Sequence, residues 1–270
     1  MEQLKVYENY LRERELSKGT CELYLKQAEL FLNYVGDRPL SKEEVFSYRE
    51  ELLKRKLSVS TVNLYIIAVN CYLKYAGYSD FTVRTVKVQR KNSIDNVINR
   101  REYQSMLSYA KSSGHEKYYY IMKTLAMTGI RVSELKFFTV EVLQKGVTYV
   151  YNKGKIREVY LPDCLIKELM EYCGREQIKE GIIFRGKEYQ PINRTTVYKM
   201  MVYLADMVGI PKEKAHPHSF RHFFAITYME HYANLAELAD ILGHSNMETT
   251  RIYTTSSSEE KRRRLNCLGL

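Results

Sequence analysis

HPHSFRHFFAITYMEHYANLAELADILGHSNMETTRIY fills residues 216–253. Apolar residues recur in it at helical spacing, and Gly243 punctuates the pattern. The spacing predicts a helix over 217–232 and another over 235–242. Ser245 with Glu248 then offers an S-x-x-E cap for a last short helix carrying Tyr253. His218 and Arg221 stand three apart, so on a helix they share a face. His244 follows Leu-Gly at a corner, and Tyr253 comes nine residues later. Nothing in the stretch alternates as a strand does, so the surrounding domain is expected to be mainly α.

Upstream, Asn99 and Glu102 form another capping box, followed by helices near 100–112 and 115–128. Thr128-Gly129-Ile130-Arg131 then sets Arg131 at the start of a further helix, SELKFF. Val147 to Leu161 alternates as a hairpin, turning at Asn152-Lys153-Gly154-Lys155. Pro162 and Asp163 end the strand and open a helix through Leu165, Leu169 and Tyr172, and one more helix fits 194–208. The expected result is an α-rich domain over 98–270 with one small antiparallel sheet.

The chain's first 80 residues read as four helices. Leu4, Tyr7, Tyr10 and Leu11 mark the first, and Ser17 opens the second, which Gly36 and Pro39 stop. Ser41 and Glu44 make a capping box for the third. Ser58 or Ser60 caps the fourth, which carries Val62, Tyr65, Val69, Tyr72 and Leu73 and ends at Gly77. Residues 81–97 follow as a connector. Its segment FTVRTVKVQRKNSI (81–94) holds Arg84, Lys87, Arg90 and Lys91 without an acid, which suits an extended run along a phosphate backbone or a solvated linker.

With 270 residues and 45% hydrophobic content, the chain can bury a core in one or two domains. Its formal charge of +10 points to a polyanionic partner, nucleic acid above all. The five cysteines are scattered without CxxC spacing, and no secretory start or apolar run near membrane-spanning length occurs. These features predict a reduced, cytoplasmic protein with inert thiols and no membrane partner.

A phosphodiester under attack gathers negative charge on its non-bridging oxygens, and fixed cations must meet it there. Arginine suits that task because its planar fork donates two parallel hydrogen bonds and keeps its charge. Arg131 and Arg221, with His218 and the N-terminus of its helix, supply such a setting. Lys153 or Lys155 in the hairpin turn can reach a phosphate.

The order and spacing of these segments resemble the tyrosine recombinase (phage integrase/Xer) family. The resemblance rests on TGIRVSEL (128–135), NKGKIREVYLP (152–162), HPHSFRHFFA (216–225) and LADILGHSNMETTRIYTT (238–255). SKGTCELYLKQAELFL (17–32) and SVSTVNLYIIAVNCYLKY (58–75) are similar to the family's helical core-binding domain. The resemblance implies a SAM-like four-helix domain joined to the integrase catalytic fold in a two-domain clamp on duplex DNA, without a further arm-binding domain. It implies that Tyr253 forms a 3′-phosphotyrosyl bond, that Arg131 and Arg221 clamp the scissile phosphate, and that His218 acts as general base or donor. Lys153 would protonate the leaving 5′-oxygen, His244 would bond a phosphate oxygen, and Glu134 would support the site from behind. No metal or other cofactor is implied. The partners implied are double-stranded DNA with inverted-repeat core sites, a homo-tetramer on it, and accessory proteins or a partner recombinase. A tail over 257–270 would dock into a neighbouring subunit. His216 and Phe223 depart from the family pattern, where Thr or Ser and a small hydroxyl residue are usual.

Other readings stand beside this one. His216, His218 and His222 suggest a metal-dependent phosphoesterase, although they lack H-E-x-x-H spacing and a Cys partner. A DNA-binding regulator without the chemistry and a type IB topoisomerase share parts of the pattern.

Overall fold

The computed structural model describes residues 2–87, 96–152, 155–243, 247–254 and 266–267. The chain divides into two compact units, 1–90 and 91–270. Among the described residues, no helix is long and apolar enough to cross a membrane.

The first unit contains α1 (Glu2–Glu13), α2 (Lys18–Val35), α3 (Lys42–Lys54) and α4 (Val59–Tyr75). Serine side chains open three of them. Ser17, Ser41 and Ser58 each accept the backbone N–H three residues on, which satisfies a donor the helix cannot. Ser58, not Ser60, is thus the cap of α4. The expected reciprocal half of the Ser41 box is replaced by an ion pair, since the Glu44 carboxylate lies 2.7 Å from Arg38. The bundle closes on Tyr7, Leu11, Phe31, Leu52 and Leu73, with Tyr7 and Tyr72 meeting edge to face at 5.2 Å.

The connector expected over 81–97 begins as part of this unit. Two asparagines on α4, seven residues apart, grip it as a strand neighbour would. Asn70 donates to Val83 O at 2.7 Å and accepts from Val83 N at 3.1 Å. Asn63 donates to Val86 O at 2.9 Å and accepts from Val86 N at 2.8 Å. Val83 is thereby buried, while Arg84 and Lys87 stay exposed. Arg90 and Lys91 lie outside the described residues.

The second unit is built around α6 (Glu116–Thr128), which is buried over most of its circumference by Tyr120, Ile121, Met122, Leu125 and Ala126. Around it pack α5 (Arg100–Ser112), α8 (Asp163–Arg175), α9 (Arg194–Met207) and α10 (Pro217–Tyr232). Asn99 and Glu102 close both halves of the capping box, at 2.9 and 2.8 Å. The SELKFF segment is a 3₁₀ helix over Val132–Phe137, not an α-helix. A short α7 (Val140–Lys145), which the pattern did not suggest, leads into the sheet.

Strands β1 (Val147–Asn152) and β2 (Lys155–Tyr160) pair antiparallel from Val147 opposite Tyr160 to Asn152 opposite Lys155. Alternation sorts their side chains as a pleat must. Val150 and Val159 are buried; Tyr149, Tyr151, Ile156 and Tyr160 face solvent. Arg157 lies opposite Val150, on the inner face. After α10 come α11 (Leu235–Leu242), α12 (Glu248–Arg251) and a 3₁₀ turn over Ile252–Thr254, so Tyr253 sits in that turn rather than on the expected helix. Ser245, Lys153, Gly154, His244 and residues 255–265 fall outside the described residues.

Candidate active site

Helix α10 organises the site, and its start explains an unusual residue. His216 is the N-cap: its extended backbone presents Nδ1 to accept Ser219 N at 3.1 Å, the service a Thr or Ser hydroxyl gives elsewhere. Pro217 takes the first helical position, where no N–H is required. His218 therefore lies in the first turn and Arg221 in the second. Ser219 is fully buried, and its hydroxyl accepts Ile98 N at 2.9 Å, tying the helix start to the chain just before α5.

Arg221 is only 3% exposed. Its Nη1 donates to Gly129 O and its Nη2 to Leu242 O, each at 2.6 Å. Two helix C-termini thus share one guanidinium, since Gly129 caps α6 and Leu242 ends α11; cations are favoured at both. Gly129 is required for this approach. Its φ of +62° suits glycine, and a Cβ there would lie 2.4 Å from Phe224 Cδ1. Burial first, and the charge of Arg131 second, push the Arg221 pKa down to about 9, which leaves it cationic at neutral pH.

Glu134 is the electrostatic keystone beneath the arginines, 1% exposed. Burial alone would raise its pKa. The fork of Arg157 (3.0 and 2.6 Å), Arg131 N (2.8 Å) and Arg131 Nη1 (3.1 Å) overcome that and hold it at about 2. Arg131 is fixed by this carboxylate from both its backbone and its side chain. Arg157 Nε also donates to Ile241 O at 3.0 Å, so the sheet, Glu134 and the end of α11 are joined through one side chain. Gly243 leaves room for it: φ is +64°, and a Cβ would lie 2.7 Å from Arg157 Cδ. Arg157 was not among the residues singled out from the sequence. Its signal was there, a charge on the inner face of a strand whose neighbour Val159 is apolar.

His218 stands exposed at a cleft of about 420 Å³ lined also by Arg131, Arg194, Tyr198 and His216. Loss of solvation against the cleft wall, then Arg221, His216 and Arg131, lower its pKa. Tyr253 joins a small apolar cluster with Ala225, Leu238 and Leu242. Its Oη lies 2.6 Å from His222 Nδ1. Burial pushes the phenol up to about 12, against the pull of Arg221, so it is protonated at neutral pH.

The structure therefore assembles Arg131, Glu134, His218, Arg221 and Tyr253 in one unit, adds Arg157 and His222, and leaves Arg84 and Lys87 on the other unit's surface. The three histidines suggested for a metal are otherwise disposed, His216 as a helix cap, His218 at the cleft and His222 on Tyr253. Among the described residues, no group of three or more His, Cys, Asp or Glu is arranged to hold a metal ion.

Comparison with known proteins identifies the family and the fold. The model of the phage integrase family matches residues 96–260, and that of the phage integrase N-terminal SAM-like domain matches 4–77. Tyrosine recombinase XerD of Yersinia pestis is 35% identical over 151 residues, covering 53% of this chain and 50% of that protein. A tyrosine recombinase of Pseudothermotoga lettingae is 32% identical over 186 residues, covering 66% and 62%. The chain thus spans about half the length of the curated relatives it matches. The Tn1549 transposon integrase in complex with circular intermediate DNA superposes with a TM-score of 0.77 at 18% identity, covering 98% of this chain and 99% of that one. XerA recombinase gives 0.54 at 24%, covering 98% and 97%. At these identities the structural likeness is one of fold. With the family model matching well over half of the chain, the protein belongs to the phage integrase family, the tyrosine recombinases.

Proposed function

We propose that this protein is a site-specific tyrosine recombinase that cuts and rejoins duplex DNA through a 3′-phosphotyrosyl bond at Tyr253. One observation carries the reading: a buried arginine, Arg221, is held by two helix ends on the same face of α10 as His218, within the unit that also holds Tyr253 and the Glu134-anchored Arg131. Arg131 and Arg221 repel one another across the site, and a phosphate between them relieves that repulsion. The site is built to be more comfortable with a polyanion than without one.

In the proposed reaction the Tyr253 oxygen bonds to phosphorus as the phosphorus–5′-oxygen bond breaks. The two arginines meet the charge on the non-bridging oxygens; one such arginine contributes roughly 10³–10⁵ in rate in phosphoryl transfer. His218 takes part as base or donor, Lys153 supplies the proton to the 5′-oxygen, and His244 bonds a phosphate oxygen. The tyrosyl ester conserves the energy of the broken bond, so religation by the 5′-hydroxyl needs neither metal nor ATP. Arg84, Lys87, Arg90 and Lys91 contact backbone phosphates. Domain roles follow as 1–80 for core binding, 81–97 as the basic connector and 98–270 for catalysis. The protein works in the cytoplasm as a tetramer on paired inverted-repeat sites, with the 257–270 tail engaging a neighbour and accessory proteins or a partner recombinase where the element requires them.

Covalent trapping in EDTA tests this. Wild type and Tyr253→Phe are incubated with nicked duplexes from the gene's genomic surroundings and then denatured. A protease-sensitive adduct with wild type alone is expected. Binding without an adduct would favour a DNA-binding protein that has lost the chemistry, and an adduct in Tyr253→Phe would move the nucleophile elsewhere.

A further inference from the structure

The hydroxyl expected to attack DNA already has a partner, and it is not the histidine that sequence spacing brought forward. Tyr253 Oη lies 2.6 Å from His222 Nδ1, with ring centroids 5.6 Å apart. The chemistry of the two groups is matched. Burial, followed by the nearby His218, His216 and Arg221, holds the His222 ring in its neutral form, with a pKa of about 4. A neutral imidazole can offer a ring nitrogen as acceptor to a phenol that remains protonated.

His222 directly follows Arg221 and stands four residues after His218, so all three project from neighbouring positions of one helix. That helix is anchored by the Ser219–Ile98 bond, the His216 cap and both Arg221 bonds. A group held to it is held relative to the phosphate-clamping arginine. Around the phenol, Ala225, Leu238 and Leu242 with Phe224, Tyr228 and Met229 supply an apolar seat. Such a seat holds the ring, and among the described residues the polar contact with His222 Nδ1 sets the direction of its O–H bond.

We propose that His222 is the positioning residue for the nucleophile: its Nδ1 seats the Tyr253 hydroxyl against the helix that carries Arg221, in the protein's own chain and before DNA binds. This role rests on Tyr253 being the nucleophile. His222 contributes orientation rather than phosphate binding, so its loss slows the first strand cut without weakening DNA affinity.

The test pairs single-turnover adduct formation on a nicked duplex with imidazole ¹⁵N NMR. His222→Leu removes the acceptor at similar bulk, and His222→Asn restores an acceptor oxygen near the place of Nδ1. Expected is a fall in adduct rate of roughly 10- to 100-fold for His222→Leu. DNA affinity and melting temperature should hold, and His222→Asn should recover most of the rate. In the NMR arm, Tyr253→Phe should move the His222 Nδ1 resonance while His216 and His218 stay in place. Equal adduct rates in wild type, His222→Leu and His222→Asn would overturn the proposal, as would an unmoved His222 resonance in Tyr253→Phe. If wild type binds nicked DNA and never forms an adduct, the nucleophile assignment fails and this role fails with it. The NMR shift would then identify that cause, because it reads the contact without any reaction.

Discussion

Glu134→Gln removes one charge from the point where the site's architecture converges. An ordinary glutamate titrates near 4.5 and Glu134 at about 2, which at about 1.4 kcal/mol per pH unit corresponds to about 3 kcal/mol of stabilisation of the ionised form. The substitution also leaves the Arg157 guanidinium, whose side chain is 11% exposed, without its counter-charge. Breaking a buried pair from one side costs roughly 3–5 kcal/mol. The second unit should therefore lose roughly 3–5 kcal/mol at pH 7, or roughly 6–20 °C of melting temperature for a domain of this size. The sign with pH follows from the lowered value. The folded carboxylate binds fewer protons than the unfolded one, so its contribution is present above about 4.5 and fades as the pH falls through about 2. Urea unfolding of the full chain, followed by far-UV circular dichroism at several pH values, gives the difference between wild type and variant. Hydrogen exchange assigns it to peptides of the second unit. The gap should be largest near neutrality and close as the pH falls from 4.5 toward 2. A gap below about 1 kcal/mol at pH 7, or one that stays constant on acidification, would refute the account of Glu134 as a buried, doubly paired anion.

Three further outcomes are expected. Gly129→Ala places a Cβ at 2.4 Å from Phe224 at a φ of +62°, and should cost roughly 2–4 kcal/mol in urea unfolding; a loss below about 1 kcal/mol would contradict the close approach of α6 and α10. His216→Ser should preserve or raise the melting temperature while His216→Ala loses about 1 kcal/mol, because a hydroxyl can cap α10 and a methyl cannot. Since burial lowers the His216 pKa from 6.5, the folded ring binds fewer protons than the unfolded one. Stability is then highest above 6.5 and falls on acidification, a component that His216→Ser should remove and that melting curves across pH 5–7.5 would detect. Arg84→Ala and Lys87→Ala should each weaken DNA binding uniformly across sequences and reduce the salt slope by about 1 in fluorescence anisotropy; an unchanged slope would take these exposed residues off the DNA.

What could be read directly from the sequence is what depends on neighbours along the chain. Asn99 with Glu102 determines a helix start because both partners lie within one turn. The alternation of VTYVY and IREVYL determines which strand face is buried, and the i, i+3 spacing of His218 and Arg221 determines that they project together. Even the mis-set details are local, such as the 3₁₀ turns that replace the helices expected at SELKFF and at Tyr253. Other features had no local signature. Arg157 reaches Glu134 from 23 positions away, and Tyr253 meets His222 across 31. Asn63 and Asn70 bind a segment whose only visible trait was its charge. Arg221 finds its acceptors in the carbonyls of Gly129 and Leu242, and every residue has a carbonyl, so no residue type could announce them. Periodicity and capping are written one turn at a time. A buried charge takes whatever partners the packed backbone brings within reach, and only the tertiary structure decides which those are.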